Sequence, residues 1–212
     1  MDDTLSKTLF LFLGWLLGLF SPVIVDAIKR RRENREIRDA LRIELSELRY
    51  RLACAHYFIQ MRFGTVDRAL LSWVSPILKN YTGLNPSENI SKSIEMQLSL
   101  DDGQIAALAR NDKASPDAGL SVKKYTAPLL ESKFALLSGL DTPLQNRLLE
   151  IRTNLNLLNE EVDQSRYYFQ LTFNSGVTEN NRSRAVDNLG QCYLNLASRA
   201  KNVADHIGQI SW

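Results

Sequence analysis

From Thr8 to Val25 the chain runs eighteen positions without a charged residue, and Lys29-Arg30-Arg31-Arg32 follows almost at once. Few features constrain a fold more. At 1.5 Å per residue, eighteen helical residues cover roughly 27 Å, close to the ~30 Å hydrocarbon core of a bilayer. Thr4 to Ser6 and Asp26 to Ile28 can extend the helix, with Lys7 and Lys29 snorkelling toward the headgroups. The segment therefore reads as a single membrane-spanning helix. A cleaved signal peptide fits less well, because the chain starts Met1-Asp2-Asp3 and the apolar run leads into Ser-Pro-Val-Ile-Val and then arginines. Basic residues stay inside, so the expected topology at the cytoplasmic (inner) membrane is single-pass, N-terminus out and C-terminal domain in the cytoplasm.

Charge supports this placement. Residues 1–28 carry a net −2, residues 29–52 a net +4, and residues 53–212 balance sixteen cations with sixteen anions. The basic character forms a membrane-surface collar of Lys29, Arg30, Arg31, Arg32 and Arg35, suited to anionic headgroups. No basic stripe lies elsewhere, so nucleic acid is not an expected partner. Inside the span, Gly14 and Gly18 form a G-x-x-x-G pair that lets helices pack backbone on backbone, and Pro22 is a site for a kink. These three are the transmembrane packing candidates, and a homo-oligomer is the partner they imply. Glycine and proline are also simply common in membrane helices.

The expected fold is all-α. The organisation reads as residues 1–28 for the tail and transmembrane helix, 29–80 for the basic juxtamembrane region and amphipathic helix, 81–140 for short helices and loops, and 141–212 for a C-terminal antiparallel helical hairpin. Residues 29–212 form one cytoplasmic helical bundle. Ile37, Leu41, Leu45, Leu48, Leu52, Ala55 and Ile59 recur at helical spacing, and neither proline nor glycine interrupts residues 23–63. The membrane helix is thus expected to continue as one rod as far as Gly64. Pro76 suggests another helix start or kink. Short helices are expected from Ser87 to Leu98 and over Leu100–Arg110, the second capped by Ser99 or Asp101, with a loop at 111–121 and helix again from Val122 to near Gly139.

The last third carries the clearest pattern. After Asp141-Thr142-Pro143, a heptad seam runs through Leu144, Leu148, Ile151, Leu155, Leu158, Val162, Ser165 and Phe169. Asn174-Ser175-Gly176 stops it. Thr178 then caps a second seam through Val186, Leu189, Tyr193, Leu196, Ala200, Val203, Ile207 and Ile210. Beside that seam lies a polar stripe of Asn188, Cys192, Asn195, Arg199, Asn202 and His206. It reads as a solvated or boundary face, with a ligand-facing surface or register-fixing hydrogen bonds as the functional alternative.

Chemistry is otherwise quiet. Cys54 and Cys192 are expected to be reduced and structural, and with His56 and His206 they are too scattered for a zinc site. Tyr167, Tyr168, Phe169 and Phe173 near Arg166 could stack on a nucleotide, but read more simply as core. Glu160, Glu161 and Asp163 read as an exposed charged face, since no Glu-x-x-His accompanies them. No nucleophile-elbow, phosphate-loop, dinucleotide or zincin motif occurs. No catalytic, cofactor or metal residue is assigned, and the expected role is a non-enzymatic interaction module with a protein partner. A ligand- or partner-gated oligomeric effector, in which the rod couples the bundle to the transmembrane helix, is the alternative. An enzyme lacking a recognisable motif comes third.

Overall fold

The structure, a computed structural model, describes residues 3–84, 86–132, 137 and 139–212, with the backbone alone for residues 3–7 and 9. Among the described residues it is all α, with seven helices and no strand: α1 (Asp3–Phe63), α2 (Arg68–Lys79), α3 (Glu88–Leu98), α4 (Asp102–Asn111), α5 (Pro128–Ser132), α6 (Thr142–Thr172) and α7 (Glu179–Gly208). The expected rod is present as a single helix of 61 residues, about 90 Å long, continuing through Pro22 and ending one residue before Gly64.

The helices begin where local chemistry says they should. Asp67, Asp141 and Thr178 each accept the backbone N–H three residues on, at 2.7, 3.4 and 3.4 Å. Asp101 and Gln104 close a reciprocal capping box on α4. Ser87 occupies the N-cap of α3 without a side-chain cap, and its own N–H donates to the Tyr50 hydroxyl at 2.7 Å. Pro76 does not start a helix. It lies inside α2, whose start is set nine residues earlier by Asp67.

Packing centres on α7, which lies against α6 on one side and α1 on the other. Its buried alanines at 185, 197, 200 and 204 let two neighbours approach closely. Leu144, Leu148, Ile151, Leu155, Leu158 and Val162 bury the α6 seam, and the matching α7 residues from Leu189 to Ile207 face the same core. The C-terminal hairpin is therefore a packed one. A second core joins Tyr50, Ala53 and Tyr57 of α1 to α2, α3 and α4. In its bundle half, α1 is thus buried on two faces.

One expected helix does not form at its start. From Leu120 to Ala127 the chain is irregular, and α5 begins only at Pro128. Proline lacks the N–H that a helix interior needs, and it disfavours helical geometry in the residue before it, so it serves as a first-turn residue. Side chains supply the missing backbone partners. Tyr193 Oη accepts from Leu120 N–H at 2.7 Å, Asn159 clamps both N–H and C=O of Tyr125 at 2.9 and 2.7 Å, and Arg166 donates to the Val122 carbonyl at 3.0 Å. Glu44 accepts from Leu129 and Leu130 N–H at 2.7 and 3.0 Å, opposite the positive end of α5. Residues 133–136 and 138, where sequence periodicity continues this helix, lie outside the described residues.

Two further expectations are corrected. Glu161 is not on an exposed face: it is 8 % exposed, lies between α6 and α7, and accepts from Arg199 at 3.2 Å. Tyr167 and Phe173 are not core, being 58 % and 73 % exposed. The reason is length. α1 ends at Phe63, level with Tyr193 (ring centroids 4.6 Å apart), so the hairpin tip extends past its cover.

Candidate functional site

A helix buried on two faces has a third to offer. On α1 that face carries Ile43, Glu47, Arg51, Cys54 and Phe58, at helical steps of 4, 4, 3 and 4. Ile43 is 72 % and Phe58 41 % exposed. Three adjoining depressions of about 660, 420 and 500 Å³ follow this face from Asp39 to Phe58, sharing Ile43, Glu47 and Arg51 along the way. Together they make a groove about 28 Å long, with the helix as its floor. Residues 80–84 and the start of α3 wall one side; residues 120–129 wall the other.

The end farthest from the N-terminal apolar run has the most apolar lining of the three. Tyr50, Cys54, Phe58, Ile90 and Val122 give it an apolar lining, while Arg51 and Lys123 stand at its rim. Arg51 holds its guanidinium 5.6 Å from the centroid of the Tyr125 ring, a cation–π arrangement. Burial pushes the Cys54 thiol up to about 11, against the opposing pull of a hydrogen bond with Tyr50. Burial also raises Tyr125, and nearby Arg51 partly offsets it. At neutral pH this is a protonated, poorly nucleophilic cysteine.

A reactivity prediction follows from that thiol. Two units above the ordinary value leave about one-hundredth of the thiolate, and the more basic sulfur recovers roughly a factor of ten in nucleophilicity. Iodoacetamide at pH 8 should therefore alkylate Cys54 about tenfold more slowly in the native chain than in the urea-unfolded one. Equal rates, read by peptide mass spectrometry, would contradict a half-buried, protonated thiol.

His56 does not serve Cys54. It is 6 % exposed and turned toward α7, where Nδ1–H donates to the Ala197 carbonyl at 2.7 Å and the ring meets Trp73 edge-on at 5.2 Å. Trp73 Nε1 donates to Asp205 at 2.7 Å, Asp205 pairs with Lys201 at 2.6 Å, and Lys201 lies 4.9 Å over the indole. This polar knot ties α1, α2 and α7 together. Among the described residues no three His, Cys, Asp or Glu side chains converge as a metal site would require.

The residues singled out from sequence fall in three places. Gly14 and Gly18 are on an open face, where an added Cβ would meet nothing within 4 Å. In the collar, Lys29 and Arg32 pair with Glu33 and Glu36 one turn on, at 4.0 and 2.9 Å, and all five basic residues are exposed. The polar stripe is divided. Asn188 and Asn202 are exposed, Cys192 is buried, and Asn195, Arg199 and His206 are half-buried at the α6 boundary. There Arg199 meets Glu161, His206 Nδ1 lies 3.6 Å from Glu150, and Asn195 accepts from Gln191 at 3.0 Å. The groove was not foreseen. Its trace in the sequence was the second α1 seam through Ile43, Cys54 and Phe58, offset from the leucine seam.

Comparison with known protein families, with curated proteins and with solved structures finds no match to this chain.

Proposed function

We propose that the protein is a non-enzymatic, single-pass membrane scaffold whose helical bundle docks a protein partner at the cytoplasmic face. The observation that carries this reading is the uncovered start of α1. Twelve large apolar side chains between Phe10 and Ile28 are 45–76 % exposed, and the apolar window has a mean hydropathy of 2.0 with none of it buried. Burying a Leu, Phe or Val side chain is worth about 1.5–3 kcal/mol, so leaving this run in water is strongly disfavoured, and a bilayer is the cover its length fits. The collar supports the orientation, cytoplasmic on the C-terminal side. The unbroken rod supports a fixed stand-off: Ile43 lies fifteen residues past Ile28, about 22 Å along the axis.

Carbonate-washed membranes should retain the full chain at its full mass, and Lys113→Cys, on the exposed loop after α4, should react with an impermeant maleimide only after permeabilisation. Release by carbonate, loss of the N-terminal residues, or labelling from outside would each overturn the corresponding part. Self-association through the glycine face makes a further prediction. Gly14→Leu with Gly18→Leu should reduce in-membrane cross-linked dimer about tenfold or more. Both positions are open within the chain, so the substitutions leave the bundle's own packing untouched. Undiminished cross-linking would place the contact elsewhere.

A further inference from the structure

The distal cavity of the α1 groove has a distinct chemical signature. Its volume, about 500 Å³, lies in the range of small-molecule sites. Its lining contains no carboxylate, but does contain two cations, Arg51 and Lys123. Neither cation has a carboxylate partner among the described residues, whereas neighbouring Lys124 is paired with Asp163 at 2.6 Å. Arg51 is steadied over Tyr125, whose backbone Asn159 clamps at both ends. The wall on that side is therefore preorganised rather than a loose loop.

We propose that this cavity binds a water-soluble organic anion with an apolar body, its charge held between Arg51 and Lys123 and its body lying over Cys54, Phe58 and Val122. Charge complementarity selects the anion: apolar walls take the body, and both charged side chains lining this cavity are positive, Glu44 and Glu47 lining the adjoining depression that shares Arg51. Position selects the source. With the proposed span ending at Ile28, Cys54 stands twenty-six residues further on, about 39 Å along the rod, beyond the reach of a lipid seated in the bilayer. The ligand comes from solution.

The test uses the full chain in nanodiscs of zwitterionic phosphatidylcholine, with 8-anilinonaphthalene-1-sulfonate as probe and empty discs as background. Fluorescence should saturate at one probe per chain, and bound probe should slow maleimide labelling of Cys54. Arg51→Glu with Lys123→Glu should weaken the probe about tenfold, while the uncharged analogue N-phenyl-1-naphthylamine should bind both forms equally. Lys123→Ala, in an exposed irregular segment, should weaken it about threefold and guards against misfolding of the double variant. Equal affinity of wild-type and charge-reversed chains, or unchanged Cys54 labelling, would overturn the site. Displacement of the probe by anionic lipid in the discs would overturn the soluble source.

Discussion

Tyr193→Ala is expected to destabilise the bundle by about 3–5 kcal/mol, a large part of the 5–15 kcal/mol that typically separates folded from unfolded domains. Tyr193 is 1 % exposed in the middle of α7 and packs 4.6 Å from Phe63 at the end of α1. Removing the ring leaves a cavity between α1 and α7 that rigid helices cannot close. The hydroxyl has a separate task, since it accepts the Leu120 N–H at 2.7 Å and so holds the irregular 120–127 segment against the core. Tyr193→Phe should accordingly cost only about 1–2 kcal/mol, the price of one unpartnered amide, but should raise hydrogen exchange locally at residues 120–125. Urea unfolding followed by circular dichroism gives the first quantity and exchange mass spectrometry the second. Indistinguishable losses for the two variants would mean that the hydroxyl, not the ring, dominates at this position.

Acid should weaken the fold through one buried imidazole. His56 is buried against α7, and burial lowers its pKa below the ordinary 6.5; nearby Lys201 adds to the effect, while the Ala197 carbonyl and Asp205 oppose it. Below pH 6.5 the unfolded chain binds a proton that the folded chain resists, so stability falls as pH falls. The limiting slope is about 1.4 kcal/mol per pH unit, which allows a loss of up to about 2 kcal/mol between pH 7 and pH 5. His56→Gln should flatten the curve across that window, at some fixed cost from the altered packing against Trp73. If the variant keeps the wild-type slope, the acid sensitivity belongs to another group.

Much of this fold is local in origin. A charge-free run of helix length, caps such as Asp101, Asp141 and Thr178, and seams repeating every three or four residues are properties of short windows. That is why the rod to Phe63, the two hairpin helices and their buried leucines were legible without coordinates. The two misplaced surface assignments share one cause. Whether a position is core or surface depends on which neighbour arrives beside it. Glu161 and Tyr167 sit on adjacent parts of the same helix, yet the charged residue is covered and the aromatic one is bare. α7 packs beside the first, whereas α1 has already ended before it could cover the second.

The candidate site shows the same division. By itself the sequence determined the uncharged N-terminal run, the basic collar and the continuity of α1, because backbone hydrogen bonding and side-chain polarity act within a turn or two. Only the tertiary structure decided that α1 has two buried faces and one open one, and that Arg51 and Lys123, seventy-two residues apart in the chain, share one rim. The 120–127 segment is irregular up to Pro128, which opens α5; Tyr193, Asn159 and Arg166 hold its backbone in place. A wall made by side chains from distant helices has no local signal, and with it comes the cavity.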